Sequence, residues 1–409
     1  MNLNVQVPSV VTKTGGMSSM AALITLTIGA FAIGMAEFVI MGLLPDIART
    51  YEVTVSRAGM LISGYAIGVA VGGPVIAAFT SRFPRKLLLC VLMLVFVAGN
   101  VLAIVSPTFT ILMVARIVSS LAHGTFLGAA ALIAASLAAP DKRASAIAMI
   151  MTGMTVANIA GVPFGTFIGQ HYGWEMTFAV IAALGLLTFA GIAFLVPDAR
   201  TSKSASVRSE LLAMAKPQVL LALGVILFGF GGLFATFTYI APILTDLSGF
   251  REQNVILILI VFGIGVTLGN IFGGKLADRH PARSLALCLA LLVPLLLALD
   301  AALPYRTPAV IGIFLWGFMS YSLVPAMQVR VLEAARDAEG MAATVIHSAF
   351  NIGNAAGAAL GGLIIAGAGL RHLPLASAAV TFVGLALALI SMRKRRSSTG
   401  ALTDAQSAA

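Results

Sequence analysis

The stretch that decides the fold is FAIGMAEFVIMGLLPDIA, residues Phe31–Ala48. It places one carboxylate, Glu37, in an apolar run from roughly residue 20 to residue 44, long enough to cross a hydrocarbon core of about 30 Å as a helix. An ionised acid at that depth costs at least ~2.5 kcal/mol, so Glu37 is expected to be a proton or cation site on a solute pathway. The alternative is a protonated side chain packed against a neighbouring helix.

The composition excludes a soluble domain. Of 409 residues, 59% are hydrophobic and only 10% are charged, and the mean hydropathy is +1.03. These values predict an all-α, polytopic membrane protein. Cys90 and Cys288 both lie in apolar runs, and the sequence contains no Walker loop, dinucleotide fingerprint or cluster of metal ligands. We therefore predict a protein that is not an enzyme, binds no cofactor and draws its energy from an ion gradient or the solute's own gradient.

Twelve apolar spans are divided six and six by a longer basic segment. We predict an N-terminal six-helix bundle (1–196), a cytoplasmic linker (197–217), a C-terminal six-helix bundle (218–392) and a basic tail (393–409). Spans 1 to 12 are predicted at roughly 20–44, 57–80, 87–106, 110–136, 145–168, 175–196, 218–244, 253–274, 284–303, 308–328, 341–368 and 373–392.

The positions of the basic residues orient the chain. An even number of spans places both termini on one face, and 19 of the 25 Lys and Arg residues lie on that face. Five lie on the other face, and Arg116 lies within a span. The positive-inside rule therefore predicts cytoplasmic termini, and it explains the net charge of +10 without a nucleic-acid partner.

The two halves repeat each other at an offset of 197 residues. Pro45 corresponds to Pro242 and Gly68 to Gly265. After a slip of one residue, Asn158 corresponds to Asn354. Two repeated bundles predict a solute site at their interface near the membrane midplane, with alternating access produced by rocking of one half against the other.

The loop after span 8 reads GKLADR, with Gly274, Asp278 and Arg279, and its counterpart after span 2 contains Arg82 and Arg85. Both resemble the G-x-L-A-D-R-x-G-R-K loop of the major facilitator superfamily. In that family the aspartate helps to latch the two halves together on the cytoplasmic side. The first copy has alanine and serine in place of the glycine and aspartate, which leaves Asp278 and Arg279 as the latch candidates. A basic turn that only fixes topology would explain the arginines equally well.

Residues 153–165 read GMTVANIAGVPFG and are similar to the glycine–proline signature of the drug:proton antiporter branch. Gly161, Pro163 and Gly165 would permit close helix packing and a bend. The segments MAEFVIMGLLPDIA, SRFPRK and SLAHG resemble bacterial sugar-efflux permeases of the arabinose-efflux type, with chloramphenicol exporters nearby. The resemblance implies a twelve-helix major facilitator fold in a bacterial inner membrane.

The depths of two charged residues match. Glu37 lies eight residues before Pro45 and Arg116 nine residues after Pro107, so both are about 12–14 Å deep at ~1.5 Å per residue. Because spans 1 and 4 are neighbours in the fold that this chain resembles, we expect Arg116 to pair with Glu37. The alternative is a structural cation that satisfies backbone carbonyl groups.

Further polar and aromatic side chains complete the predicted site. His123 follows Arg116 on span 4 and is expected either to titrate or to bond a neighbouring helix as a neutral ring. Polar stripes on spans 5 and 11 predict either a water-filled cavity or contacts between helices. Rings on spans 7 and 10 predict either aromatic walls for a partly apolar solute or side chains that face lipid or the packed core; they are Phe234, Phe237, Tyr239, Trp316 and Tyr321. Proton coupling is assigned to Glu37, Arg116 and His123, and solute binding to Glu37, Met41, Arg116, Thr155, Asn158, Phe234, Phe237, His347, Asn351 and Asn354.

These observations predict a monomeric, proton-coupled antiporter that exports small organic solutes, either sugars or amphipathic drugs. An uptake symporter or facilitator with the same fold is the first alternative. A membrane sensor that binds but does not transport is the second, although such a protein would normally need a larger cytoplasmic domain than the linker and tail provide.

Overall fold

The helices of the computed structural model account for all of the predicted spans. The structure describes residues 16–80, 83–139, 143–197, 212, 214–335 and 339–407, and within them it contains no strand. Twelve helical stretches in these residues are long and apolar enough to cross a membrane. The predicted all-α fold with twelve spans is therefore confirmed. Most of the predicted linker, and Arg82, lie outside the described residues.

The first half contains six spans. Span 1 comprises α1 (Gly16–Phe38) and α2 (Ile40–Thr50), span 2 is α3 (Val55–Thr80), span 3 is α4 (Arg85–Ile104), and span 4 comprises α5 (Phe109–Ser120) and α6 (His123–Leu137). Span 5 comprises α7 (Arg143–Val156), a π-helical turn (Ala157–Gly161) and α8 (Val162–Tyr172), and span 6 is α9 (Trp174–Leu195).

The second half repeats this arrangement. Span 7 comprises α10 (Pro217–Gly229), α11 (Gly231–Phe237), α12 (Ile240–Pro242) and a π-helical turn (Ile243–Leu247), span 8 is α13 (Glu252–Arg279), and span 9 is α14 (Pro281–Ala302). Span 10 comprises α15 (Arg306–Ser322) and α16 (Val324–Ala334), span 11 is α17 (Glu339–Ala368), and span 12 comprises a 3-10 turn (Leu370–His372) and α18 (Leu373–Ser407).

Four spans that the sequence predicts as continuous helices are interrupted. The breaks fall at Val39 in span 1, after Ser120 in span 4, at Phe230 and near Thr238 in span 7, and at Leu323 in span 10. These are the first and fourth spans of each half, so the interruptions follow the internal repeat. The sequence does not reveal these breaks, because the length of an apolar segment shows only that it can cross a membrane. A missing backbone hydrogen bond leaves that length unchanged.

The two halves contact each other on the far face, defined as the membrane face opposite the chain ends, where residues 51–54 join spans 1 and 2. Arg49 of the first half approaches Glu252 of the second, with Nη1 and Oε1 3.4 Å apart. Below this pair, Ser56 Oγ donates to the carbonyl oxygen of Gly362 at 2.8 Å. Spans 2 and 11 are thus joined by hydrogen bonds, and their far-face ends are held together.

Glycines allow spans 5 and 8 to cross closely. A Cβ atom at Gly263 of span 8 would lie 2.8 Å from the Cα atom of Ile159 and 2.9 Å from the carbonyl oxygen of Asn158. Real Cβ atoms do not approach backbone this closely, so this crossing requires glycine. The π-helical turn of span 5 therefore lies directly against the second half.

Candidate functional site

The interruption of span 1 sets the geometry around Glu37. Across the break, Val39 N donates to Met35 O and Gly42 N to Val39 O, each at 3.0 Å. The carbonyl groups of Ala36 and Glu37 receive their hydrogen bonds from Arg116 instead, from Nη1 at 2.6 Å and from Nη2 at 3.4 Å. The guanidinium thus supplies the donors that a broken helix needs.

The expected ion pair between Arg116 and the Glu37 carboxylate is therefore corrected. Among the described residues, the Glu37 carboxylate has no ion pair with Arg116 within 4.0 Å. The matched depths do bring the two residues together, but depth does not distinguish a side-chain acceptor from a backbone one. The arrangement is the alternative of a cation that satisfies carbonyl groups.

The Glu37 carboxylate faces His123. The distance from Glu37 Oε2 to His123 Nε2 is 3.9 Å, and the other ring nitrogen, Nδ1, lies 3.4 Å from the Tyr65 hydroxyl. The Tyr65 ring in turn lies under Arg116, with its centroid 4.1 Å from Cζ. We call Glu37, Tyr65, Arg116 and His123 the polar cluster; their exposed fractions are 7%, 1%, 1% and 3%.

Tyr65 was missed by the sequence analysis. A tyrosine in an apolar run is the available signal, because its hydroxyl needs a partner when the ring is buried. That signal is weaker than a charge at the same depth. The structure shows that three different spans build the polar cluster.

The second half brings His347 towards the polar cluster. Span 11 packs against the helix that begins at His123, and the charges of the His347 and His123 rings interact. One turn later, Asn351 Nδ2 donates to the His347 carbonyl oxygen at 3.0 Å. The Oδ1 atoms of Asn351 and Asn354 are buried and have no hydrogen-bond partner among the described residues. Span 11 therefore presents unused acceptors in the interior of the protein.

The polar residues predicted on span 5 are directed differently. Thr155 Oγ1 donates to Met151 O at 3.3 Å, and Asn158 Nδ2 donates to Met154 O at 3.1 Å. These bonds lie within the helix, and no bond joins Thr155 or Asn158 to the polar cluster in the described part of the chain. Met41, predicted as a solute contact, is fully buried in span 1.

An aromatic cluster includes Phe38, the residue that follows Glu37 in the chain. The Phe38 ring lies 6.2 Å from that of Phe234 across the two halves, and Phe237 stacks on Phe262 at 4.3 Å. The Trp316 ring is 6.0 Å from Phe237. The members of the aromatic cluster are Phe38, Phe230, Phe234, Phe237, Phe262, Trp316, Tyr321 and Phe350.

Two details of the aromatic cluster bear on solute binding. The Trp316 Nε1 atom is buried and has no hydrogen-bond partner within the described residues. Tyr239, which the sequence groups with these rings, instead donates from its hydroxyl to Ala358 O at 3.0 Å. The cluster thus contains one unused donor, and Tyr239 belongs to the contact between spans 7 and 11.

The predicted hinge residues of span 5 pack on span 1. A Cβ atom at Gly161 would lie 3.1 Å from the Phe31 ring, and one at Gly165 would lie 2.6 Å from a Val39 methyl group. Pro163 between them is buried. The motif therefore packs against span 1 close to the break that follows Glu37, where a change in helix packing would reach the site.

The predicted latch residues Asp278 and Arg279 form no ion pair across the two halves among the described residues. Asp278 and Arg279 are exposed at the end of α13, and neither side chain has an ion pair or hydrogen bond to another described residue. Gly274 has open space around it, and Arg85 is half-buried at the start of α4. The role of this loop in conformational change stays a prediction.

Comparison with known proteins adds a family match. The model of the Major Facilitator Superfamily matches residues 26–339 and 249–408. Similar proteins are the inner membrane transport protein YdhP of Escherichia coli K12 (41% identical, covering 91% of this chain and 96% of YdhP), the putative transporter AraJ of the same strain (34%, 91% and 95%) and the chloramphenicol resistance protein of Streptomyces lividans (36%, 81% and 86%).

A solved structure supports the same architecture. The crystal structure of a bacterial homologue of the human lysosomal transporter Spinster, in an inward-facing and unoccupied conformation, superposes with a TM-score of 0.75. The match covers 93% of this chain and 98% of the other, at 18% sequence identity. At that identity the match concerns the fold alone.

Proposed function

Because the chain belongs to the major facilitator superfamily of membrane transporters, we propose that it exports small organic solutes in exchange for protons. The membership and the twelve apolar spans make it a multi-pass inner membrane transporter and not an enzyme. Proton coupling, direction and solute class form the proposal. It includes a monomeric unit with cytoplasmic termini, in keeping with the excess of Lys and Arg on that face.

The burial of the Glu37 carboxylate beside His123 is the observation that carries the proposal. An acid surrounded by apolar helices is neutralised by a proton unless a partner stabilises its charge. His123 Nε2 lies 3.9 Å from this carboxylate, and the Arg116 guanidinium is committed to backbone carbonyl groups. A change in solvation or in a bound solute would therefore shift the proton occupancy of Glu37, which is what coupling requires.

Arg116 has a positioning role in this scheme. It caps the carbonyl groups exposed at the break in span 1 and so fixes the backbone of Glu37. Its positive charge also interacts with the carboxylate. Because Arg116 is held by backbone carbonyl groups, it stays in position when Glu37 gains or loses a proton. A direct ion pair with the carboxylate would be lost when the carboxylate is protonated.

The adjoining aromatic cluster supports an amphipathic solute. Phe38 and Phe234 bring aromatic surface from both halves next to Glu37. The unused Trp316 donor and the unused oxygens of Asn351 and Asn354 could bind polar groups of the solute. The similarity to a chloramphenicol resistance protein favours drug-like molecules, and sugars, which also stack on aromatic rings, stay in the proposed range.

Exchange of solute for proton follows if the solute binds when Glu37 is ionised and leaves when Glu37 is protonated. A proton entering from the far face would neutralise the carboxylate, and a solute arriving from the cytoplasm would bind as that proton leaves. Rocking of the two halves would require the contacts between Arg49 and Glu252 to open.

A flux experiment in proteoliposomes tests the proposal. Vesicles are preloaded with a sugar, a nucleoside or a phenicol-type drug, and the external pH is then lowered. Solute efflux should accelerate for the wild type and for the control Glu52→Gln, an exposed carboxylate, but not for Glu37→Gln. Acid-driven entry into empty vesicles would indicate symport, and flux independent of the pH gradient would indicate a facilitator. Either result would overturn the proposal.

A further inference from the structure

We propose that Tyr65 is a positioning residue that holds the His123 ring with its Nε2–H directed at the Glu37 carboxylate. The inference rests on the proposed function, because it assigns Tyr65 a part in proton exchange at Glu37. Tyr65 would act through His123 and would not itself contact the solute.

The two nitrogens of His123 have separate partners. Nδ1 lies 3.4 Å from the Tyr65 hydroxyl, and Nε2 lies 3.9 Å from Glu37 Oε2. The Tyr65 and His123 rings are 6.0 Å apart at 59°. A neutral imidazole has one donor nitrogen and one acceptor nitrogen, so these partners decide which nitrogen carries the proton.

The chemistry of the partners selects one tautomer. When Glu37 has released its proton, the carboxylate only accepts hydrogen bonds, so the nitrogen of His123 that faces it must carry the proton. Nδ1 of the neutral ring is then an acceptor and needs a donor, which the Tyr65 hydroxyl provides. This hydroxyl has no other hydrogen-bond partner among the described residues. While Glu37 is ionised, a neutral His123 ring therefore matches both partners only when Nε2 carries the proton and Tyr65 donates to Nδ1.

Arg116 fixes the tyrosine in turn. Its Cζ atom lies 4.1 Å from the centroid of the Tyr65 ring, and a cation over an aromatic face is an attractive contact that strengthens when both groups are desolvated. Since Arg116 also binds the carbonyl groups beside Glu37, one guanidinium holds both the backbone of the acid and the ring that orients its partner.

The titratable and charged groups around His123 determine how the pH profile of proton release should be interpreted. They are Glu37 from span 1, Tyr65 from span 2, Arg116 from span 4 and His347 from span 11. Among the described residues, only Tyr65 bonds Nδ1. Loss of its hydroxyl should therefore release the orientation of His123 without removing a charge from the site.

Nitrogen NMR of protein labelled with ¹⁵N-histidine tests the orientation directly, because the two tautomers have distinct ¹⁵N shifts. The His123 signal, one of five histidines, is assigned by its loss in His123→Gln. At a pH where Glu37 is ionised, we expect the Nε2–H tautomer in the wild type. In Tyr65→Phe, which keeps the ring under Arg116, we expect the Nδ1 signal to shift because this nitrogen loses its donor. The matched control is Tyr51→Phe, whose hydroxyl bonds Ser106 outside the cluster; it should leave the signal unchanged. An unaltered Nδ1 signal in Tyr65→Phe would overturn the inference.

Two amide substitutions of His123 give a second test. The side-chain nitrogen of Gln reaches about the position of Nε2, and that of Asn reaches about the position of Nδ1. Proton release on addition of a phenicol-type drug should be retained several-fold better by His123→Gln than by His123→Asn. Tyr65→Phe should shift the pH profile of release and lower drug affinity by roughly threefold to tenfold, the effect of one buried hydrogen bond. Better retention by His123→Asn would contradict the inference.

The NMR result does not depend on transport. If Glu37→Gln still couples flux to protons while Tyr65→Phe shifts the Nδ1 signal, the proposed function fails and the positioning of His123 stands. If coupling depends on Glu37 but the Nδ1 signal does not change in Tyr65→Phe, the positioning role fails alone.

Discussion

Replacement of Arg116 by Met tests whether this cation holds the backbone of span 1 or pairs with an acid. The substitution removes the donors to Ala36 O and Glu37 O from a side chain that is 1% exposed. Each buried carbonyl left without a donor costs about 1–3 kcal/mol, and relief of the buried charge offsets part of the sum. We expect the free energy of unfolding to fall by about 2–4 kcal/mol.

A double-mutant cycle separates the two roles. Glu37→Gln removes the carboxylate and keeps both backbone carbonyl groups, so Arg116→Met should cost about the same with and without it. We expect a coupling energy below about 1 kcal/mol. A direct ion pair predicts otherwise, because removing one partner of a buried pair costs about 3–5 kcal/mol and removing both restores much of it.

The assay is unfolding by SDS titration in mixed micelles, followed by the fluorescence of the two tryptophans. Arg57→Met is the matched control, since Arg57 also lies over an aromatic ring but is exposed. Its effect should stay below about 1 kcal/mol. A coupling energy between Arg116 and Glu37 above about 2 kcal/mol would refute the backbone-capping role.

Three further predictions concern the contact between the halves, a close helix crossing and the aromatic cluster. The coupling energy between Arg49→Ala and Glu252→Ala should be at most about 1 kcal/mol, because the two side chains are 62% and 54% exposed. It should vanish in high salt, which screens exposed charges; a larger coupling energy that persists in high salt would contradict this prediction. Gly273→Ala should lower the free energy of unfolding by about 1–3 kcal/mol, since its Cβ would overlap a carbonyl oxygen of span 10. Gly274→Ala is the control, because a Cβ atom there would meet no described atom within 4 Å; equal effects of the two substitutions would be inconsistent with that packing. Trp316→Phe should keep stability within about 1 kcal/mol, because the indole N–H has no hydrogen-bond partner in the part of the chain that the structure describes. It should nevertheless weaken binding of an acceptor-bearing solute several-fold; unchanged affinity across a solute panel would remove Trp316 from the site.

The fold was predictable because the membrane itself dictates the pattern. The hydrocarbon thickness fixes the length of each span, and the charge bias fixes which loops share a face. The same rules made Glu37, Arg116 and His123 visible, since ionisable groups in apolar runs are rare. The structure places all three in one buried cluster.

The details that decide the chemistry were not predictable from the sequence. At the break near Val39, the carbonyl groups of Ala36 and Glu37 accept hydrogen bonds from Arg116, which lies 79–80 residues away in the chain. Helical spacing placed Thr155 and Asn158 on one face, but it does not state how the helix is rotated or that each side chain bonds its own backbone. Such features depend on tertiary contacts.

The measurement that tests the central claim most directly is proton release from the purified protein in detergent as solute is added. A phenicol-type drug that binds the wild type and Glu52→Gln should release protons from both. The account predicts no release from Glu37→Gln under saturating drug. If Glu37→Gln binds the drug and releases as many protons as the wild type, Glu37 does not carry the exchanged proton and the account is contradicted.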